Sequence, residues 1–170
     1  MERVIQIIVY FFICIYLIMK KSVWGPIVWS TLHSLSIHIK EDSFASIKDE
    51  LIDIIYKICS NLPCPSCASH STSLLKRYRV KQRVKTKQDL IRILCVMHNE
   101  VNKRLKKQVV DVEECIRLHK DKSFKETQGL YYKTHINMQF GEKMMLYSFH
   151  RKLFLKQFKQ FILHRKDCFL

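Results

Sequence analysis

From residue 22 to 119 the apolar positions return every three to four residues, the period of helices packed on one side. Trp29, Leu32, Leu35 and Ile39 mark a first stripe. Ser22 is expected to cap this helix, with Pro26 in its first turn. Ile47, Leu51, Ile54, Ile55 and Ile58 mark a second helix that Pro63 stops. A third starts inside CPSC, with Pro65 in its first turn, and runs toward Tyr78. RYRVKQRVKTKQ then reads as a basic linker. Leu90, Ile93, Leu94, Met97, Val101 and Leu105 predict a long helix over 87–106, and a short one follows over 112–119. Helices of this length with short connections favour an all-α fold, an antiparallel four-helix bundle with a short fifth helix.

The flanks follow other patterns. Residues 4–19, VIQIIVYFFICIYLIM, hold one polar residue, Gln6. As a helix they span about 24 Å, close to the about 30 Å of a hydrocarbon core. No convincing small-residue cleavage site follows in LIMKKSVWG, so an uncleaved transmembrane anchor over 1–21 is expected, with a signal peptide and a buried helix as the alternatives. Lys20 and Lys21 behind it favour a cytoplasmic position for the rest of the chain. From 121 to 170 the chain is a basic amphipathic extension. Its helix SFHRKLFLKQFKQFILHRK carries Phe149, Leu153, Phe154, Phe158, Phe161 and Ile162. Packing on its own domain or a partner is the plainest use of that helix. A membrane surface is another, since basic and aromatic residues interleave. Charge alone supports only nonspecific nucleic-acid affinity, so no specific nucleic-acid partner is expected.

Composition narrows the classes. Only 3 Gly and 3 Pro in 170 residues argue against a turn-rich β fold. A net charge of +15 suits anionic partners or the phosphates of a nucleotide cofactor. The 7 cysteines form one close pair, Cys64 and Cys67, among scattered Cys14, Cys59, Cys95, Cys115 and Cys168. That is not the even spread of a secreted disulfide scaffold.

At a helix start, free N–H groups and the helix dipole stabilise a thiolate, so Cys64 and Cys67 suit a dithiol/disulfide couple. They also suit half of a zinc site, with His70 and His98 completing it, although no second CxxC or HxxxH supports four closed ligands. Two structural cysteines are the plain alternative. Trp29 and His33 lie at i and i+4 on one helix face, and His98 with Asn102 and Asn99 with Lys103 repeat that spacing. Each pair alone is ordinary in a packed or solvated face. Together they offer stacking surfaces, amides and cations to an aromatic nucleotide. No glycine-rich phosphate loop occurs, so such a cofactor would lie between helices.

WGxxxWxxxH, CxxCxxH and CxxHNxVNxxL, in this order between Trp24 and Leu105, resemble the Erv/ALR family of FAD-dependent sulfhydryl oxidases. The compact CxxCxxH is most similar to members from large DNA viruses. The resemblance, which covers about 24–119, implies a four-helix bundle with a short fifth helix cradling FAD over 22–120, usually as a homodimer. It implies that Cys64 and Cys67 are the redox-active disulfide, with Cys67 beside the flavin and Cys64 exchanging with protein thiol substrates. Oxygen would accept the electrons and give hydrogen peroxide. Gly25, Trp29 and His33 would contact the flavin nucleotide from the first helix. His98, Asn99, Val101, Asn102, Lys103 and Lys107 would line its adenine, ribose and phosphates, with no metal. The family's structural disulfide would fall on Cys95 and Cys115. The chain departs from the family in SLSIHI, which replaces a common tyrosine, and in lacking a shuttle CxxC. A zinc-binding interaction module and a non-catalytic membrane-bound scaffold are the rival expectations.

Overall fold

The computed structural model describes residues 20–136, 138 and 145–170; among them the regular structure is helical apart from one isolated bridge. The helices are α1 (Lys21–Ile37), α2 (Glu41–Ser60), α3 (Pro65–Arg77), α4 (Val80–Arg83), α5 (Lys87–Arg104), α6 (Val112–Lys120), α7 (Phe124–Ile136) and α8 (Met145–His164). A 3-10 turn, Lys166–Cys168, follows. The apolar stretch 4–19 lies outside the described residues. Among those described, no helix is long and apolar enough to cross a membrane.

Helix α1 is the axis of the fold. It packs on α5, α6 and α7, and touches α2. Every residue from Thr31 to Ile37 is buried, so this stretch has no solvent face. The expected stripe therefore understates its burial, because a helix surrounded on all sides shows little periodicity. The start also differs from expectation. Ser22 does not cap α1; Lys20 occupies the cap position with no side-chain capping hydrogen bond, and its carbonyl accepts from Val23 and Trp24 N–H. Pro26 lies inside the helix instead of in its first turn.

Two other helices have the caps their sequences encode. Thr86 Oγ1 accepts from Asp89 N–H while the Asp89 carboxylate accepts from Thr86 N–H, a capping box that starts α5. Asp111 Oδ1 accepts from Glu114 N–H at 2.7 Å and starts α6. α5 ends at Arg104, slightly before the expected residue 106. Lys106, at φ 55°, turns the chain away there: its N–H bonds Lys103 O and Lys107 N–H bonds Asn102 O. The basic linker contains α4. Buried Val80 and Val84 anchor that single turn, and Arg79 enters it at φ 49°.

The chain beyond 120 shares the same core. Phe154, Leu155, Phe158 and Phe161 of α8 are buried, each stabilising the fold by about 1.5–3 kcal/mol. Lys57 Nζ donates to Gln157 Oε1 at 3.0 Å, and Arg165 Nε to Glu50 Oε2 at 2.9 Å, which ties α8 and the turn after it to α2. Phe149 and Leu153 stay exposed. Ile39 and Phe169 form the isolated antiparallel bridge, flanked by Lys40 N–H to Cys168 O and Leu170 N–H to His38 O, both 2.8 Å.

Arg79 adopts the left-handed conformation at the helix end where glycine is the unstrained choice. Arg79→Gly is expected to raise unfolding free energy by about 1 kcal/mol. Urea denaturation measures this; an unchanged or lower midpoint contradicts it.

Candidate functional site

The first cluster forms where α3 begins. Pro65 disfavours helical backbone at the residue before it, and Cys64 accordingly lies at φ −108°, ψ 114°, the cap conformation. Its Sγ takes the role that an N-cap oxygen usually fills. Cys67 N–H donates to it at 3.3 Å, and Ser66 Oγ lies 3.1 Å away. Lys21, at the start of α1, is held above its ordinary value by the negative charge that Cys67 and then Cys64 can carry. Burial pushes the Cys64 thiol up, but the Cys67 thiol, the Ser66 hydroxyl, the Cys67 N–H and the Lys21 charge outweigh it and bring it down to about 7. Burial and then the Cys64 sulfur hold the Cys67 thiol above its ordinary value. Both are free thiols in this structure. One sulfur of the pair is thus prepared to be a thiolate near neutrality, the nucleophilic and leaving form in disulfide exchange.

The second cluster joins α1, α5 and α6. Trp29 and His98 stack with ring centroids 4.1 Å apart and planes 9° from parallel. His33 Nε2 lies 3.0 Å from His98 Nδ1. On its other side His33 Nδ1 lies 3.3 Å from Cys115 Sγ, and its ring is 4.6 Å from that of His119. Burial, then the neighbouring charges of His119 and His98, hold His33 well below the usual imidazole range. Burial, with His119 and Lys107, brings His98 down to about 4. Neutral imidazoles beside an indole make a flat, polarisable surface that suits a planar aromatic guest.

The remaining expected residues divide. Asn99 spends its amide inside the protein: Nδ2 donates to Val110 O at 2.6 Å and Oδ1 accepts from Val110 N–H at 3.1 Å. This clamp folds the loop after α5 back along the helix, beside Cys95. Val101 and Asn102 are half-buried on α5, while Lys103 and Lys107 are exposed at its C-terminal end, where cations can meet phosphate oxygens. Gly25 is half-buried on α1, with nothing within 4 Å of the place a Cβ would take. Cys95 and Cys115 are buried free thiols; Cys95 Sγ donates to Asp111 O at 3.6 Å and Val110 O at 3.7 Å, and Cys115 Sγ meets His33. Burial is the main cause that pushes Cys115 up to about 12. His70 is half-buried on α3, and among the described residues no three His, Cys, Asp or Glu side chains gather as a metal site.

The two clusters sit on adjacent helices, since α3 packs on α5, and Trp29, Cys64 and Cys67 pack against one apolar core. Sequence reasoning missed three participants. Lys21 had the look of a membrane-flanking charge, Ser66 of a spacer between cysteines, and His119 of a terminal helix residue. Only the i, i+4 spacing of Cys115 and His119 hinted at the last, whose Nδ1 lies 2.8 Å from Cys115 O.

Comparison with known proteins addresses the same region. Residues 26–125 match the family model described as "Erv1 / Alr family". The FAD-linked sulfhydryl oxidase of African swine fever virus (isolate Tick/Malawi/Lil 20-1/1983) is 32% identical over 91 residues, 54% of this chain and 75% of that protein. The mitochondrial FAD-linked sulfhydryl oxidase erv1 of Schizosaccharomyces pombe is 25% identical over 89 residues, 52% of this chain and 49% of that one. The FAD-linked sulfhydryl oxidase ERV2 of Saccharomyces cerevisiae is 28% identical over 92 residues, 54% and 45% of the two chains. No solved structure matches the chain.

The depressed imidazoles make stability depend on pH. An unfolded histidine titrates near 6.5, His98 in the fold at about 4. Between those values the unfolded chain binds more protons, so stability falls as pH drops through this window. His33 shifts in the same direction and adds to the loss. The urea midpoint should therefore be lower at about pH 5 than at neutrality. His98→Gln should flatten that dependence; parallel curves for the two proteins would refute the assignment.

Proposed function

The chain belongs to the Erv1/Alr family, and on that premise we propose that it is a viral-type FAD-dependent thiol oxidase that forms disulfides in protein substrates through Cys64 and Cys67. The observation that carries the redox assignment is Cys64 itself, a sulfur at a helix N-cap, hydrogen-bonded and lowered to about 7 beside a second thiol. Oxidoreductases of this kind need one sulfur that attacks and leaves readily near neutral pH. The overall reaction is 2 R–SH + O2 → R–S–S–R + H2O2.

The residues present fit FAD. The Trp29–His98 stack offers a ring surface, and exposed Lys103 and Lys107 offer cations for a pyrophosphate. His98, held neutral, can offer one hydrogen bond through Nε2 without adding charge, while His33, enclosed and engaged at both ring nitrogens, acts by positioning His98. Gly25, Val101 and Asn102 complete the ligand set, and Asn99 contributes by fixing the loop that carries Val110. When bound, FAD supplies the acceptor that takes the electron pair from the thiols and hands it to oxygen.

In the oxidised pair, a substrate thiolate attacks Cys64 Sγ; the Cys64–Cys67 bond breaks and Cys67 leaves as a thiolate. A second substrate thiolate attacks the sulfur of the bound substrate, releases the new disulfide and displaces Cys64 as a thiolate. Cys67, the deeper of the two, is our choice for the sulfur facing the flavin. The finer architecture is a four-helix bundle. Its support is a closed ring of packing, α1 on α2, α2 on α3, α3 on α5 and α5 on α1, with α6 as the short fifth helix. We take the working form as a homodimer. We also propose that residues 4–19 tether the enzyme to a host or virion membrane, with the oxidase on the cytoplasmic side and disulfides formed where thiols otherwise stay reduced.

Cys64→Ser and Cys67→Ser should each abolish oxygen consumption on a dithiol while the helical circular dichroism and the flavin absorbance persist. Turnover surviving in either variant rejects the pair as the redox centre. Deleting residues 1–19, which spares Lys20 and Lys21, should move the enzyme from the membrane to the soluble fraction with dithiol oxidation intact. Retention in the membrane fraction would place the tether elsewhere.

A further inference from the structure

Helix α8 has two faces that differ in what they meet. Phe154, Leu155, Phe158 and Phe161 enter the core. Residues 149, 153, 156, 160 and 163 recur every third or fourth position on the opposite side and form one outer stripe. Three of them are large, apolar and open to water: Phe149 is 63% exposed, Leu153 47% and Leu163 57%. One exposed leucine is ordinary, but three such side chains on one stripe need a reason. Lys156 lies within the stripe, and exposed Lys152 and Lys159 flank it on one side. The 20 residues of α8 include no Asp or Glu. Asp49, Glu50 and Asp53 of α2 share a cleft with Gln157 and His164, on the other flank. We propose that this outer face of α8, with lysines interleaved among Phe149, Leu153 and Leu163, docks on an anionic phospholipid bilayer.

Charge and shape select this occupant. A second copy laid symmetrically on the face would set Lys152, Lys156 and Lys159 against their own equivalents, and like charges brought together in this way repel. A protein partner favours an interface centre stripped of charge. Here each apolar side chain has a lysine three or four residues away, on the same side of the helix: Phe149 has Lys152, Leu153 has Lys156 and Leu163 has Lys159. Nucleic acid would engage the lysines and leave the apolar side chains in water. A bilayer surface uses both. Phe149, Leu153 and Leu163 enter the acyl boundary, and the lysines extend their stems along it and their ammonium groups to the lipid phosphates. The buried phenylalanines of the inner face already hold α8 in place, so binding carries little ordering cost. The contact is read from α8 alone and requires neither the tether proposed for residues 4–19 nor the oxidase reading.

A reporter on this face of the full-length chain tests the contact. Phe149→Trp places an indole there, and subtracting the wild-type emission removes Trp24 and Trp29, which pack with the core. With vesicles of phosphatidylserine and phosphatidylcholine in equal parts, the added emission should shift to the blue and be quenched by lipids brominated along their acyl chains. Phosphatidylcholine alone should do neither, and raised salt should reverse both effects. Leu153→Trp, one turn on, should behave in the same way. Each lysine near an anionic surface strengthens contact about fivefold, so Lys152→Gln, Lys156→Gln and Lys159→Gln together should weaken it on the order of a hundredfold and remove the shift. The readout is local, so a chain tethered to either vesicle through residues 4–19 still reports whether α8 touches lipid. Emission that ignores phosphatidylserine, or responds equally to phosphatidylcholine, overturns the proposal. So does a shift that grows with protein concentration without vesicles, which identifies a second copy as the occupant. A shift produced by polyglutamate while vesicles have no effect also overturns it, in favour of an acidic protein partner.

Discussion

The structure depends on partnering most of the polar groups of a helix that water cannot reach; among its enclosed side chains the Thr31 hydroxyl goes unmatched. From Thr31 to Ile37 α1 is enclosed, and four of those seven side chains are polar. An unpaired buried polar group costs about 1–3 kcal/mol, so these residues dictate much of what surrounds them. Ser36 Oγ bonds its own helix at His33 O, and His38 at the helix end reaches Ser34 and, across the fold, Lys120 O. His33 has no such local partner. It finds His98 on α5 and Cys115 on α6, and in doing so fixes how those helices lie against α1.

That same bonding network creates the chemistry. Because His33 holds His98 and His98 stacks on Trp29, the ring surface is assembled by the core and is not hung from loops. The sulfur pair is built differently. Its properties come from the first turn of α3, where Pro65 sets the backbone of Cys64 and the Cys67 N–H and Ser66 hydroxyl meet its sulfur. A rigid aromatic platform and an electrostatically tuned pair thus meet through α3 and α5, two helices packed side by side. Platform and pair share α1, which supplies Trp29 and His33 to one and Lys21 to the other.

Much of this was legible in the residues. The stripes at Ile47 to Ile58 and Leu90 to Leu105 define α2 and α5 because each helix has one wet face and one dry one. Thr86 with Asp89 and Cys64 with Pro65 mark helix starts through local chemistry that short-range reasoning can read. What escaped it is nonlocal. A helix buried all round carries more than one periodic stripe can signal, so the stripe of Trp29, Leu32, Leu35 and Ile39 left the burial of Thr31, Ser34 and Ser36 between them unread. Asn99 has the composition of a ligand and the geometry of a clamp, and no spacing rule separates the two. Lys21 carries one charge next to an apolar stretch, which reads as topology until the fold brings it to the sulfurs. The phenylalanines of α8 suited a core or a lipid surface equally well until their packing partners were known.

The placement of Cys64 and Cys67 on a single helical turn has a kinetic corollary. Pro65 holds the backbone between them in one conformation, and Cys67 N–H already points at Cys64 Sγ. Interconversion between dithiol and disulfide then asks only for side-chain rotations, with no hinge to open and no loop to order.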